Sequence, residues 1–308
     1  MRAVRNTENG VRVVDVDEPS GDGVLMSIAS SSICGTDIGF VAAGFTGFTI
    51  GHEFAGHVDG VSYAVDPAIS CGECAECEAG HTQRCTGPHA NLGIFADGGL
   101  SDRIIVPPRN LVPLPAGLDV DNACLIEPAG VAWHGARRAA IRPGERVAVV
   151  GGGSIGLLAV AAVRHMGHDV ALAARYPHQD AAGERLGSTR PSGLYDVVIE
   201  ATGTESGLAQ CAELAVPGGR VIILGVFGDA APIPGGLTLV KELSWIGAMA
   251  YGSHDGVRDL DEVAALLASS PEIPATLITH RFALDEAPAA FEAAASRSSG
   301  AIKVGIHP

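Results

Sequence analysis

Apolar residues fall along this chain in two regimes. Near the N-terminus they alternate with polar ones. Val11-Arg12-Val13-Val14-Asp15-Val16 and Gly23-Val24-Leu25-Met26-Ser27-Ile28 have the period of half-buried strands, and Pro19-Ser20-Gly21-Asp22 reads as the turn between them, so an antiparallel β region opens the chain. From residue 146 the apolar runs become continuous. Val147-Ala148-Val149-Val150 passes through a glycine turn into Leu157-Leu158-Ala159-Val160-Ala161-Ala162-Val163, which predicts a strand buried on both faces, a tight turn and a helix. Residues 169–174, 195–200, 218–225 and 243–248 predict further strands, and residues 179–186 and 260–267 predict helices. Alternation of such strands with helices is the pattern of a doubly wound α/β sheet.

The turn itself carries chemistry. Gly151, Gly153 and Gly156 have the G-x-G-x-x-G spacing, in which glycines permit the tight turn, the approach of a pyrophosphate and close packing of helix on strand. Ser154 and Ile155 open the helix, whose free N–H groups favour negative charge. A dinucleotide site is therefore expected here.

Composition narrows the remaining choices. The 308 residues, 47% hydrophobic and 18% charged, predict two globular domains with large cores. A net charge of -15 argues against a nucleic-acid partner, whose affinity is largely cationic. The first residues lack an apolar leader and no apolar run approaches the ~18 residues that span a bilayer, so a soluble, cytoplasmic protein without membrane contact is expected. Of the 7 cysteines, Cys71, Cys74, Cys77 and Cys85 crowd into one segment through two overlapping C-x-x-C steps and a longer loop. Four thiolates suit tetrahedral zinc and leave no open position, so this lobe, about residues 71–85, is expected to be structural. Upstream, Cys34-Gly35-Thr36-Asp37 and Gly51-His52-Glu53 place further ligand types on the chain, although either motif by itself is more often the mark of a packed core residue.

Taken with the cysteine lobe, Glu127-Pro128-Ala129-Gly130 and the glycine turn, these motifs give the chain a resemblance, over nearly its whole length, to the medium-chain dehydrogenase/reductase family, in its zinc-dependent alcohol and polyol branch. The resemblance implies a GroES-like catalytic domain of residues 1–128 and 272–308 and a Rossmann coenzyme domain of residues 129–271. It implies two zinc ions per chain, one in the lobe and one catalytic, the latter held by Cys34 and His52 with Glu53 or Glu127 as a further ligand. Asp37 would orient His52. Thr36 matches the hydroxyl that begins a proton relay from the alcohol toward the nicotinamide ribose; Gly39 stands where many relatives carry the histidine that finishes it. Backbone groups around Ala201, Gly225 and Val226 would hold the carboxamide. The substrate would be a small alcohol, a secondary alcohol or polyol, or its carbonyl, and the assembly a homodimer or homotetramer.

Arg175 ends the second strand of the coenzyme domain, where NAD-preferring members carry an acid. An arginine there pairs with a 2′-phosphate, so NADP is expected in preference to NAD, with His178 close enough to help. Residues 187–194 are too few for the strand and crossover helix that relatives place before the strand at 195–200, which predicts a shortened sheet open beside the adenosine pocket. The first domain also looks trimmed between Val58 and Pro67. Phe40, Phe45, Phe48, Phe95 and Trp133 are pocket candidates whose default is core packing. Two alternatives stand beside the dehydrogenase: an NADPH-dependent carbonyl or quinone reductase without catalytic zinc, and an inactive zinc-lobe interaction protein.

Overall fold

The computed structural model describes residues 1–228, 230–296 and 298–308, and the chain divides into two compact units. One comprises Met1–Glu127 with Gly252–Pro308, the other Pro128–Tyr251. The first unit opens with a hairpin of β1 (Arg2–Thr7) and β2 (Gly10–Asp15). Only Glu8 and Asn9 separate these strands, and Gly10 takes φ 80° while Thr7 Oγ1 accepts the Asn9 N–H at 3.1 Å. The alternating pattern pairs residues 11–16 with 23–28; the two-residue closure onto β1 prevails over the longer Pro19 segment, and β2 does not pair with the next strand.

That strand, β3 (Val24–Ser32), is the spine of the unit, and α1 (Gly35–Ala42) follows it. Then come β4 (Glu53–Val58), β5 (Val61–Val65), β6 (Ala68–Ile69), α2 (Ala75–Glu78), β7 (Ala90–Asn91), β8 (Arg103–Val106) and β9 (Leu111–Pro113), and the first unit gives way to the second within α3 (Ile126–Arg138). A register shift between Ile28 and Ser30 lets the first half of β3 pair with β8 while its far end meets the C-terminal strand. Ser30, Ser31 and Ser32 are all buried, and each hydroxyl finds an acceptor: Val120 O, Gly99 O and Glu53 Oε2. Between β4 and β5 the trimmed segment is a two-residue turn in which Asp59 (φ 48°) and Gly60 (φ 80°) are both left-handed, the geometry that matches strand twist.

In the second unit β10 (Val147–Val150), α4 (Ser154–His165), β11 (Val170–Ala173), α5 (Pro177–Arg185), β12 (Tyr195–Glu200), α6 (Glu205–Leu214), β13 (Ala215–Ile223), α7 (Gly235–Val240) and β14 (Ser244–Gly247) form a parallel sheet in the order β11-β10-β12-β13-β14 with connecting helices. Every residue of β10 is buried, as its unbroken apolar run requires. The sheet is shortened as expected. In place of the missing strand, Thr189 alone bridges β11, donating to Val170 O at 3.0 Å and accepting from Leu172 N–H at 2.8 Å.

The chain returns through β15 (Ser253–His254), β16 (Val257–Arg258), α8 (Asp259–Ser269), α9 (Glu272–Leu277), β17 (Ile278–Ala283), α10 (Ala287–Ala295) and β18 (Lys303–His307). The large sheet of the first unit then reads β17-β18-β3-β4-β5-β9, with β8 also on β3. The first unit resumes at Gly252, upstream of residue 272, because Ser253 N–H bonds Gly80 O at 3.0 Å and Arg258 holds Leu111 O at 3.1 Å. No helix among the described residues is long and apolar enough to cross a membrane.

Candidate metal centres and coenzyme site

Cys34 caps the N-terminus of α1, and its N–H donates to Asp37 Oδ2 at 2.8 Å, a capping arrangement that fixes the cysteine at the helix start. The other Asp37 oxygen, Oδ1, lies 3.3 Å from His52 Nδ1, without the alignment of a hydrogen bond. Both atoms are buried, and neither has a hydrogen-bond partner among the described residues. Asp37 thus ties the helix that carries the thiol to the residue before β4 that carries the imidazole. A sulfur of Cys34, a ring nitrogen of His52 and a carboxylate oxygen of Glu53 all lie within 4.8 Å of one another. That spacing and donor set fit one zinc ion at bond lengths of ~2.0–2.3 Å. The charges fit it too: although burial works against protonation of His52, Cys34 and Asp37 draw its pKa well above the usual value, so the surroundings favour positive charge at this point.

Glu53 has no solvent exposure, and its two oxygens each lie 2.7 Å from Lys303 Nζ. Ser32 donates to one of them, and Lys303 gives its third hydrogen to Ile33 O at 3.2 Å. Burial opposes both charges; Lys303 nevertheless holds the Glu53 carboxyl below its usual range, and Glu53 holds Lys303 above its own. Lys303 is therefore bonded both to the segment that precedes Cys34 and to the strand that follows His52. Glu127 stands outside the 4.8 Å group. Burial, reinforced by Glu53 and opposed by His52, pushes its carboxyl up to about 7. Thr36 Oγ1 sits 3.7 Å from Cys34 Sγ.

The sulfurs of Cys71, Cys74, Cys77 and Cys85 form a second group within 4.8 Å. Cys71 Sγ is 3.9 Å from Cys77 Sγ and 3.5 Å from Cys85 Sγ, and all four cysteines are free of disulfides. A zinc tetrahedron with ~2.3 Å bonds has edges of ~3.8 Å, so the sulfurs fit that ion. Backbone N–H groups of Thr86 and Cys77 bring the Cys74 thiol down to about 5. A Cβ at Gly87 would come 2.7 Å from Cys71 Sγ, which explains a glycine directly after the lobe.

In the second unit Gly151 (φ 114°) lies against Ala201, where a Cβ would come 2.9 Å from its carbonyl, and a Cβ on Gly156 would collide with Gly151 O. Gly153 is different: it caps α4 with no side-chain hydrogen bond, and the space beside it is open. Ser154 and Ile155 form the first turn behind it. The uncapped N–H groups and open approach fit a pyrophosphate. At the same ends of the strands Gly225 packs on Gly203, Gly203 on Val226, and Val226 is 79% exposed. Beneath them the buried Glu200 accepts from Thr202 N–H (2.7 Å) and Gly203 N–H (3.0 Å), fixing the turn after Ala201. Arg175 is exposed immediately beyond β11.

Residues 20–116 match the alcohol dehydrogenase GroES-like domain, and residues 154–269 match the zinc-binding dehydrogenase domain. L-galactonate-5-dehydrogenase from Escherichia coli (strain K12) is 30% identical over 300 residues, covering 87% of this chain and 86% of that protein. The chain belongs to the medium-chain dehydrogenase/reductase family. Its place is in the zinc-type alcohol and polyol branch, and it is an oxidoreductase. A zinc-binding dehydrogenase from Sinorhizobium meliloti 1021 bound to NADP matches 100% of this chain and 99% of its own with TM-score 0.85 and 32% identity. Galactitol-1-phosphate dehydrogenase from Escherichia coli matches over 100% of both chains with TM-score 0.89 and 26% identity.

Motif spacing does not mark Lys303, Ser32 or Glu200 as site residues. Lys303 had a signal: Lys241 and Lys303 are the chain's lysines, and the second lies inside the apolar run Ala301-Ile302-Lys303-Val304-Gly305-Ile306, where a cation demands a buried partner. Phe40, Phe45, Phe48 and Phe95 do cluster, with centroids 5.3–6.3 Å apart, while Trp133 packs on His165 at 5.6 Å in the other unit.

Proposed function

We propose that this dehydrogenase moves a hydride between NADP and a secondary alcohol or polyol, using a zinc ion held by Cys34, His52 and Glu53, with a second zinc in the Cys71, Cys74, Cys77 and Cys85 lobe. The observation that carries the reading is the convergence of thiol, imidazole and carboxylate within 4.8 Å, on a frame of buried hydrogen bonds. When bound, zinc polarises the alcohol oxygen and the coenzyme accepts the hydride. Asp37 keeps the His52 ring facing the metal group through Nδ1. Lys303 neutralises Glu53 and holds it in place, and Glu127 supplies a carboxyl beside the ligand set. Thr36 Oγ1 would accept the alcohol proton, and Gly39, in the histidine position, offers no side chain to pass it on. Ala201, Gly225 and Val226 offer backbone groups to the carboxamide, Gly151, Gly153, Ser154, Ile155 and Gly156 hold the pyrophosphate, and Arg175 pairs with the 2′-phosphate.

Relatives named for L-galactonate and galactitol 1-phosphate support a polyol-like substrate, and the NADP-bound relative supports the coenzyme. A homo-oligomer is supported by the open edge of β14 and by Leu239 and Val240, each 80% exposed, in the helix before it. The test is metal analysis together with an alcohol and polyol panel read as NADPH or NADH formation. Two zinc ions per chain and NADP-linked oxidation are expected; one zinc, or an equal response to NAD, refutes the corresponding part. Light scattering reports the assembly.

A further inference from the structure

Arg175 does not stand alone. Its guanidinium carbon lies 5.7 Å from the centroid of the Tyr176 ring, and the His178 ring lies 5.7 Å from the same ring at an interplanar angle of only 12°. One phenol thus supports two groups able to carry positive charge. The segment bearing them is pressed against the glycine turn: a Cβ on Gly152 would come 2.8 Å from Ala174 Cβ and 2.7 Å from Gln179 Cβ. The acid of this neighbourhood, Asp180 in the first turn of α5, has Arg190 at 3.5 Å, so its charge is offset. Arg190 comes from the short segment that replaces the missing strand and helix.

Resting on the NADP reading above, we infer that His178 is a second donor to the 2′-phosphate and that Tyr176 is the positioning residue against which Arg175 and His178 both pack. The imidazole N–H donates to one phosphate oxygen while the guanidinium takes others, a charge-assisted pair that a ribose 2′-hydroxyl does not engage. The Tyr176 ring contacts both, the guanidinium by cation–π attraction and the imidazole by ring stacking.

The test is the dissociation constant of the zinc-loaded enzyme for NADPH, NADH, 2′,5′-ADP and 5′-AMP, by fluorescence or calorimetry. His178→Ala and Tyr176→Leu should each weaken NADPH and 2′,5′-ADP about tenfold while leaving NADH and 5′-AMP within about twofold; Tyr176→Phe should keep the wild-type pattern. If His178→Ala leaves the NADPH to NADH ratio unchanged while Arg175→Ala collapses it, the inference fails and the NADP reading survives. If Tyr176→Leu weakens all four ligands alike, the ring is a platform for adenine and its assigned role is wrong. If Arg175→Ala changes nothing and the wild type prefers NADH, the NADP reading fails first.

Discussion

The two metal centres proposed for the first unit are built in opposite ways. The four-thiol lobe draws its ligands from fifteen consecutive positions, 71 to 85, and its cysteines are only partly buried. Its sulfurs are held mainly by short backbone loops and by each other. The Cys34, His52 and Glu53 group is drawn from separate elements, and its geometry is secured by groups that are not ligands: Asp37 between thiol and imidazole, and Lys303 between Ile33 and Glu53. The lobe's sulfurs are met by backbone N–H groups, whereas the ligands of the buried group are fixed by buried side chains around them. A structural site can use the metal as its core, whereas a site that exchanges substrate needs ligands fixed by the protein.

The contrast is broken most directly at Cys34. Cys34→Ala removes a ligand from the centre assigned to chemistry, and turnover should fall by about a thousandfold or more, with zinc content dropping from two to one per chain. Near-normal turnover would move the chemistry elsewhere. Thr36→Val comes next. It keeps shape but deletes the hydroxyl at the start of the relay, so alcohol oxidation near neutral pH should slow about a hundredfold with both zinc ions retained. Steady-state rates with metal analysis separate the two substitutions, since only the first should change metal content.

The same contrast decides what was legible in the sequence. The lobe was legible because its ligands are neighbours in the chain and their spacing is itself the signal. The glycine turn was legible because its three glycines recur at a fixed spacing: Gly156 closes on Gly151 five positions before it and Gly153 stays open, although Gly151 itself packs on the distant Ala201. The shortened sheet could be read from a count of residues, although the lone Thr189 bridge could not. The apolar run around Lys303 calls for a buried partner, but the identity of that partner was hidden because Glu53 lies 250 positions away in the chain. The hairpin was misread for a related reason. Alternation identifies a half-buried strand but does not say which neighbour it takes, and β2 chose the strand two residues before it rather than the one after Pro19. The return to the first unit at Gly252 likewise depends on bonds to Gly80 and Leu111 that periodicity does not encode.

Lys303 sharpens the comparison because it touches the buried centre without being a ligand. Lys303→Met leaves Glu53 buried without the cation that pairs with it, a change that should cost about 3–5 kcal/mol of stability in the metal-free protein. The effect on turnover should be about tenfold to a hundredfold, the range of an outer partner that orients a ligand. The double variant Glu53→Gln with Lys303→Met should recover much of the stability, since a neutral amide no longer needs the cation, but not the activity. Urea denaturation of the two single variants and the double closes the cycle. Equal stability of wild type and Lys303→Met would show that the pair does not hold the centre.

The smallest effect on chemistry is expected at the lobe, where the damage should stay local. Cys74→Ser replaces the thiol that backbone N–H groups hold at about 5, and it should release one zinc while leaving turnover at 25 °C within about threefold. Thermal stability should fall, because Gly80 inside the lobe accepts from Ser253 N–H at 3.0 Å and so ties it to the hairpin of β15 and β16. Trypsin gives the local readout. Arg84 lies inside the lobe, paired with Glu76 at 2.7 Å and 47% exposed, so a lobe that has lost its ion should be cut there much faster than the rest of the chain. Rapid cleavage at Arg84 with activity preserved is the outcome that a structural lobe requires. Loss of activity in step with loss of the lobe zinc would show that the exposed centre serves catalysis after all.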